Sequence, residues 1–229
     1  MAWDQVLPVT PNADTYRPGG QSQVMVSKST DGGASWSTPK AADPNSVGDQ
    51  FWPNLAFDKT TSKLYLIYYA SREDPSYSLF RPPRNTAAGT SLCLASSSTV
   101  AAATCDVLNT FVAVSTDRAA TWTSTKPSST GHQPDYEMFG GRTVPFHGDY
   151  IRVDAAGGHF FGVWTDNRNV VPGTDPREVQ PLGPTQTPLP ADGFDVNQCR
   201  AWNTSTSSWG RDTCPNAGGL DQNIYGGGA

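Results

Sequence analysis

Charge is scarce in this chain of 229 residues: Asp, Glu, Lys and Arg make up 16%, and the formal net charge is −5. No basic stripe interrupts that balance, which argues against nucleic acid as a partner. No apolar run approaches the length of a membrane span, and no stretch keeps a helical period. Met1-Ala2-Trp3-Asp4-Gln5 lacks the charged and apolar regions of a signal peptide, so the chain reads either as cytoplasmic or as cut from a larger secreted precursor. Histidine is rare, and His132, His147 and His159 stand apart from the cysteines. No Cys-x-x-Cys or Cys/His cluster points to a metal, and no cofactor or metal is expected. What the chain does have is 22 glycines, 19 prolines and 10% aromatic residues, a turn-rich β composition with length enough for a substantial core.

The first organised feature is a phrase that occurs twice. Ser29-Thr30-Asp31-Gly32-Gly33-Ala34-Ser35-Trp36 returns as Ser115-Thr116-Asp117-Arg118-Ala119-Ala120-Thr121-Trp122. Val24-Met25-Val26 leads into one copy and Phe111-Val112-Ala113-Val114 into the other, so each phrase turns the chain between two extended runs. Asp31 and Asp117 can accept hydrogen bonds from turn amides. Trp36 and Trp122 can fold back and bury the turn, with the indole N–H seeking an acceptor. If the turn needs a positive φ, Ala119 takes it less willingly than Gly33.

A second repeat runs from Asp58 to Arg72 and, aligned without a gap, from Asp154 to Arg168. Each copy is a turn followed by an aromatic and β-branched run, Leu64 to Tyr69 and Phe160 to Trp164, suited to strands buried on both faces. Each ends on an arginine, as Ala70-Ser71-Arg72 and Asp166-Asn167-Arg168.

The doubled Ser-x-Asp-x-Gly/Ala-x-Ser/Thr-Trp phrase resembles the Asp-box, the bacterial neuraminidase repeat of sialidase-superfamily β-propellers. The second repeat is similar to phrases of that superfamily ending in Asp-Ser-Arg or Asp-Asn-Arg. The resemblance implies an all-β fold of four-stranded antiparallel blades, with each box joining the third and fourth strands on the side away from the substrate. On that parse residues 22–40 are the last two strands of one blade. Residues 50–126 are a whole blade, with strands near 51–57, 64–70, 109–115 and 121–125. Residues 147–229 are an incomplete third, with strands near 149–153, 159–165 and 222–225. Propellers close with roughly four to eight blades, so about two and a half blades make a partial propeller. The rest of the ring comes from a longer form of the same protein, the preferred reading, or from other chains.

In this geometry the long connections 73–108 and 169–221, with both strand-ending arginines, fall on the edge opposite the boxes, where binding usually resides on a rigid scaffold. The four cysteines fall in two local pairs inside those connections. Disulfides Cys93–Cys105 and Cys199–Cys214 would mark an extracellular, secreted setting; the alternative is four free thiols in the cytosol.

Sialidases use an arginine triad for the substrate carboxylate, a tyrosine–glutamate nucleophile pair and an aspartate acid/base, and guanidinium forks suit a carboxylate. The resemblance therefore offers Arg72 and Arg168 as ligands, with Arg17 or Arg152 as a third. Tyr150 or Tyr225 would be the nucleophile beside Glu137 or Glu178, and Asp149, Asp166 or Asp74 the acid. The family's Phe/Tyr-Arg-Ile-Pro signature is absent, with only Tyr16-Arg17-Pro18 and Phe80-Arg81-Pro82 near it. The competing reading of Arg168 is a strand-end arginine paired with Asp166. Trp202 and Trp209 lie in a Ser/Thr-rich loop, where they would stack on sugars or pack the loop; Asn203-Thr204-Ser205 is a formal glycosylation sequon. The expected function is a glycan- or protein-binding propeller segment; the alternative is a fragment of an exo-sialidase whose other catalytic residues lie in missing blades.

Overall fold

The computed structural model describes residues 1–7, 22–44, 48–72, 108–132, 150–166, 168, 172–173, 195–196, 202–211 and 223–229. Among them the chain forms strands and no helix: β1 (Ala2–Val6), β2 (Ser22–Val26), β3 (Lys40–Ala41), β4 (Gln50–Asp58), β5 (Lys63–Ala70), β6 (Asn109–Ser115), β7 (Thr123–Thr125), β8 (Ile151–Ala156) and β9 (His159–Asp166), then β10 (Pro172–Gly173), β11 (Asp195–Val196), β12 (Trp202–Asn203), β13 (Ser208–Trp209) and β14 (Asn223–Gly228). No described helix is long and apolar enough to cross a membrane.

The strands pair antiparallel into a four-stranded sheet, β4-β5-β6-β7, and two three-stranded sheets, β1-β2-β3 and β14-β9-β8. Two short ribbons, β10-β11 and β12-β13, lie in the connection from β9 to β14. The first sheet adds a strand to the two that the sequence reading placed there. Ala2–Val6 is too short and too mixed in polarity to announce itself, and becomes a strand because β2 offers it an edge.

β5 shows why the central sheet is apolar on both faces. Tyr65, Ile67 and Tyr69 point one way, into a cluster with Ile151, Val153, Phe160 and Trp164 of the third sheet. Leu66, Tyr68 and Ala70 point the other way, toward Val24 and Val26 of the first. Burying a side chain of this size is worth about 1.5–3 kcal/mol, so β5 is the pivot of the packing. Polar groups hold the sheets in register. Tyr69 Oη accepts from Thr165 N at 2.9 Å and donates to Thr165 O at 3.1 Å, and Tyr65 Oη donates to Gly158 O at 2.7 Å. Asn54 Oδ1 accepts from Val153 N at 3.1 Å. On the other face Ser22 N donates to Asp49 Oδ1 at 2.8 Å, and Val24 N to Gln50 Oε1 at 3.1 Å. Glycine is required at Gly48, where φ is 74° and a Cβ would sit 2.5 Å from the backbone oxygen of Ser71.

The gapless second repeat does not survive intact. β5 and β9 match residue for residue in sequence, but Leu55 lies opposite Leu66 whereas Val153 lies opposite Gly162, a slip of two along the first strand. The cause is the turn. Asp58 caps a longer one, accepting from Thr60 N and Thr61 Oγ1, whereas Gly157 and Gly158 close a two-residue hairpin with φ of 63° and 91°. Asp154, matched to Asp58 in sequence, therefore sits inside β8. The bulge between Phe51 and Asn54 accommodates Pro53, which cannot donate to a ladder.

Candidate functional site

The two repeated phrases fold alike. Ser29 Oγ donates to Asp31 Oδ1 at 2.7 Å and accepts from Gly33 N at 2.8 Å; Ser115 Oγ does the same with Asp117 Oδ1 at 2.8 Å and Ala119 N at 2.9 Å. Asp31 then receives Ser35 N and Ser35 Oγ, and Asp117 receives Thr121 N and Thr121 Oγ1. The hydroxyls of Ser35 and Thr121, ahead of the other donors, hold each carboxyl well below the usual carboxylate range. Trp36 donates to Gly33 O at 3.1 Å but keeps 47% of its surface, so it folds over the turn without burying it. Trp122 packs against the core between the first and central sheets.

The left-handed backbone expected of these turns is present in both. Gly32 and Gly33 have φ of 73° and 94°, and Arg118 and Ala119 have 59° and 66°. The second turn thus forces two side chains into a region that glycine enters freely. Ala119→Gly is expected to raise stability by a few tenths to about 1 kcal/mol, seen as a higher urea midpoint at unchanged m-value; an unchanged or lower midpoint would count against strain at this site.

The other edge carries the arginines. Ser115, at the box end of β6, pairs with Leu64, and Asn109, at its start, pairs with Ala70. Arg72 therefore lies at the end of the central sheet away from its box. Tyr69 meets Thr165 across the sheets, which places Arg168 on the same edge.

Asp166 is fully buried and gathers that edge of the third sheet. Arg168 Nε donates to Oδ1 at 3.0 Å and its Nη2 to Oδ2 at 2.6 Å, and Arg168 N donates to Oδ1 at 2.8 Å. Trp164 Nε1 donates to Oδ2 at 3.2 Å, and His132 Nδ1 lies 3.3 Å from it. Burial pushes the Asp166 carboxyl up, but His132 and Arg168 outweigh it and leave the group well below the usual range. The Arg168 guanidinium also donates to Ser129 Oγ at 3.0 Å and Thr130 O at 3.4 Å, and stacks 4.2 Å above the ring of Tyr225.

The central sheet repeats this stack with its acid taken from elsewhere. Arg72 lies 4.2 Å above the ring of Phe111 and pairs with Asp43, which precedes β4. Tyr68 Oη donates to the same Asp43 oxygen at 2.5 Å, as Trp164 Nε1 does to Asp166. The first sheet keeps part of the pattern. Trp3 lies opposite Met25, as Tyr68 lies opposite Phe111 and Trp164 opposite Tyr225, and Trp3 Nε1 donates to Gln5 Oε1 at 3.4 Å. Three sheets thus carry an aromatic donor at one place on the second strand of the repeat.

This geometry favours the structural reading of Arg168. Its fork is already closed on a carboxylate, and the Arg72 side chain is engaged by Asp43 and Phe111. Tyr225 lies beneath a guanidinium. Tyr150, 77% exposed, stands at the start of β8, with its carbonyl accepting from Thr165 Oγ1 at 3.4 Å; Arg152 is exposed two residues on. Trp202 and Trp209 are backbone register partners in the β12-β13 ribbon. Asn203, in the same ribbon, accepts from Ser205 N and Thr206 N through its Oδ1. Glu137, Glu178, Asp74, Asp149, Arg17, Cys93, Cys105, Cys199 and Cys214 lie outside the described residues. Among the described residues no group of three or more His, Cys, Asp or Glu could hold a metal. Asp43, Ser129 and His132 were missed by the sequence reading. Asp43 and Ser129 belong to no repeated phrase and reach their arginines from other parts of the chain; His132 was noted only for standing apart from the cysteines.

No family model matches the chain, and no curated protein matches it. Among solved structures it is similar to one described as Hadza microbial sialidase Hz136, at 13% identity and a TM-score of 0.35, over 63% of this chain and 26% of that one. The chain spans about a quarter of that protein's length, and a likeness at this level carries no argument about chemistry.

Proposed function

We propose that the chain is a segment of a sialidase-type β-propeller, secreted, that binds glycan or protein through the edge carrying its long connections. The observation that carries the reading is the recurrence of one packing pattern across three successive sheets, with matching turns on one edge of the first and central sheets and arginine–carboxylate stacks on the other edge of the central and third. The outer face of the third sheet supports incompleteness. Phe161 and Ile224 are 59% and 63% exposed there, at the face where Tyr65, the counterpart of Phe161 on β5, is buried by a following sheet. The paired cysteines in the connections fit a disulfide-tied extracellular surface, checked by mass with and without reductant.

Binding is favoured over hydrolysis because both strand-end guanidinia already hold carboxylates of this chain, and a fork so closed cannot also clamp a substrate. A glycan array read against a fluorogenic sialoside separates the two. Binding without release of the reporter group is the expected outcome; turnover abolished by Arg168→Ala in a protein still folded by circular dichroism would sink it in favour of the fragmentary exo-sialidase.

A further inference from the structure

Between the two box turns lies a groove of about 470 Å³ whose lining includes Met1, Lys28, Leu55, Phe57, Ser62 and Arg118. The packing of the central sheet on the third supplies a template for what should fill it. There β4 is the strand outside β5, and it covers β8: Val153 is 8% exposed, and its N–H is held by Asn54. Asp58 Oδ2 reaches on to the left-handed turn, accepting from Gly158 N at 2.6 Å. One sheet earlier, the residue placed like Val153 is Leu55, and the turn residue placed like Gly158 is Ser62, also left-handed at φ 57°. Yet Leu55 is 36% and Phe57 52% exposed. The reason is that among the described residues β1 pairs only with β2, and no strand lies outside it. An edge strand that has no outer neighbour among the described residues, beside an apolar trough, is a site for strand addition.

We infer that the groove and the outer edge of β1 together receive an added β-strand: an extended segment antiparallel to β1, patterned like β4, with a carboxylate at its groove end. Position by position, the residue opposite Ala2 does what Asn54 does opposite Ile67, and the residue opposite Met1 does what Leu55 does opposite Leu66. The carboxylate that follows meets the Ser62 turn. Charge agrees, because the lining includes Lys28 and Arg118 and no acid, in a chain of net charge −5. The occupant is a separate polypeptide strand of this chemistry. The inference rests on the partial-ring reading above but concerns the edge opposite its glycan surface.

The probe is a synthetic peptide of this chain's own residues 50–60, titrated into the intact protein by calorimetry, with hydrogen exchange followed at Ala2–Gln5. Saturable binding with slowed exchange at those amides is expected. Phe57→Asp in the protein, or Asp58→Asn in the peptide, should each weaken binding about tenfold or more. Failure of the peptide to saturate at about 1 mM with wild-type protein, or binding indifferent to Phe57→Asp, would overturn the inference. So would self-association of the protein that Phe57→Asp abolishes, which would assign the groove to a second copy. Glycan binding is scored in parallel: if it persists while the peptide fails, only the strand site falls, and if it fails while the peptide binds, only the proposed function does.

Discussion

Asp166→Ala is expected to cost about 3–5 kcal/mol, the usual loss when one member of a buried charged pair is removed. The side chain is fully buried and receives Arg168 through three nitrogens and Trp164 through its indole, with His132 beside it. Alanine would leave those donors without their carboxylate acceptor. A loss of that size is a large share of a domain's total stability, so the variant should melt far below wild type or fail to fold. Asp166→Asn keeps the volume and part of the hydrogen bonding, and should lose less. Urea titration at neutral pH ranks the three proteins; a midpoint for Asp166→Ala within error of wild type would remove this residue from the centre of the fold.

The sign of the pH effect follows from the same contacts. The folded carboxyl titrates below its unfolded value of about 3.9, so the ionised form contributes stability at neutral pH. That contribution is fully present above the unfolded value and is lost as pH falls toward the folded one. Wild type should therefore weaken below about pH 4, and Asp166→Asn should weaken less steeply over that range. Parallel curves for the two would show that the charge is not what the site holds.

Asp43→Ala should cost about 2–3 kcal/mol, discounted from a fully buried pair because Arg72 keeps some exposure. It separates Arg72 from its carboxylate and leaves Tyr68 Oη with Ser124 Oγ, 2.9 Å away. Burial pushes the Tyr68 phenol above the ordinary tyrosine range, so it stays a donor and needs an acceptor. A double-mutant cycle with Tyr68→Phe should return a coupling of about 0.5–3 kcal/mol. Strict additivity would mean that the two carboxylate-centred stacks are alike in shape but not in energetics. The measurement matters because it asks whether Asp43, from the chain between two sheets, has taken over the work that Asp166 does from within its own strand.

The legible parts of the fold were those with period and repetition. The run from Leu64 to Tyr69 alternates between two cores, and its composition announced a strand apolar on both faces. The serine, aspartate and threonine or serine of each repeated phrase bond only within their own turn, so local spacing sufficed to read them. β1 was illegible because its stability comes from β2, and Ala2–Val6 carries no pattern of its own. The slip of β4 against β8 was hidden because two turns of different length preserved a gapless match. The arginine partners were half legible. Asp166, two residues from Arg168, was in view as the competing reading; Asp43 stands far from Arg72 in the chain.

Sequence alone determined that this protein is all-β, where its principal strands run and that one turn is built twice, because hydrophobic alternation and turn chemistry act over a few residues and are written there. Tertiary structure decided what the arginines hold, which carboxylate serves each, and which edges and faces remain uncovered. Those are properties of juxtaposition. A guanidinium's partner is whichever acid the packing of sheets brings within about 3 Å, and an exposed Phe57 or Phe161 differs from a buried Tyr65 only in what lies on top of it.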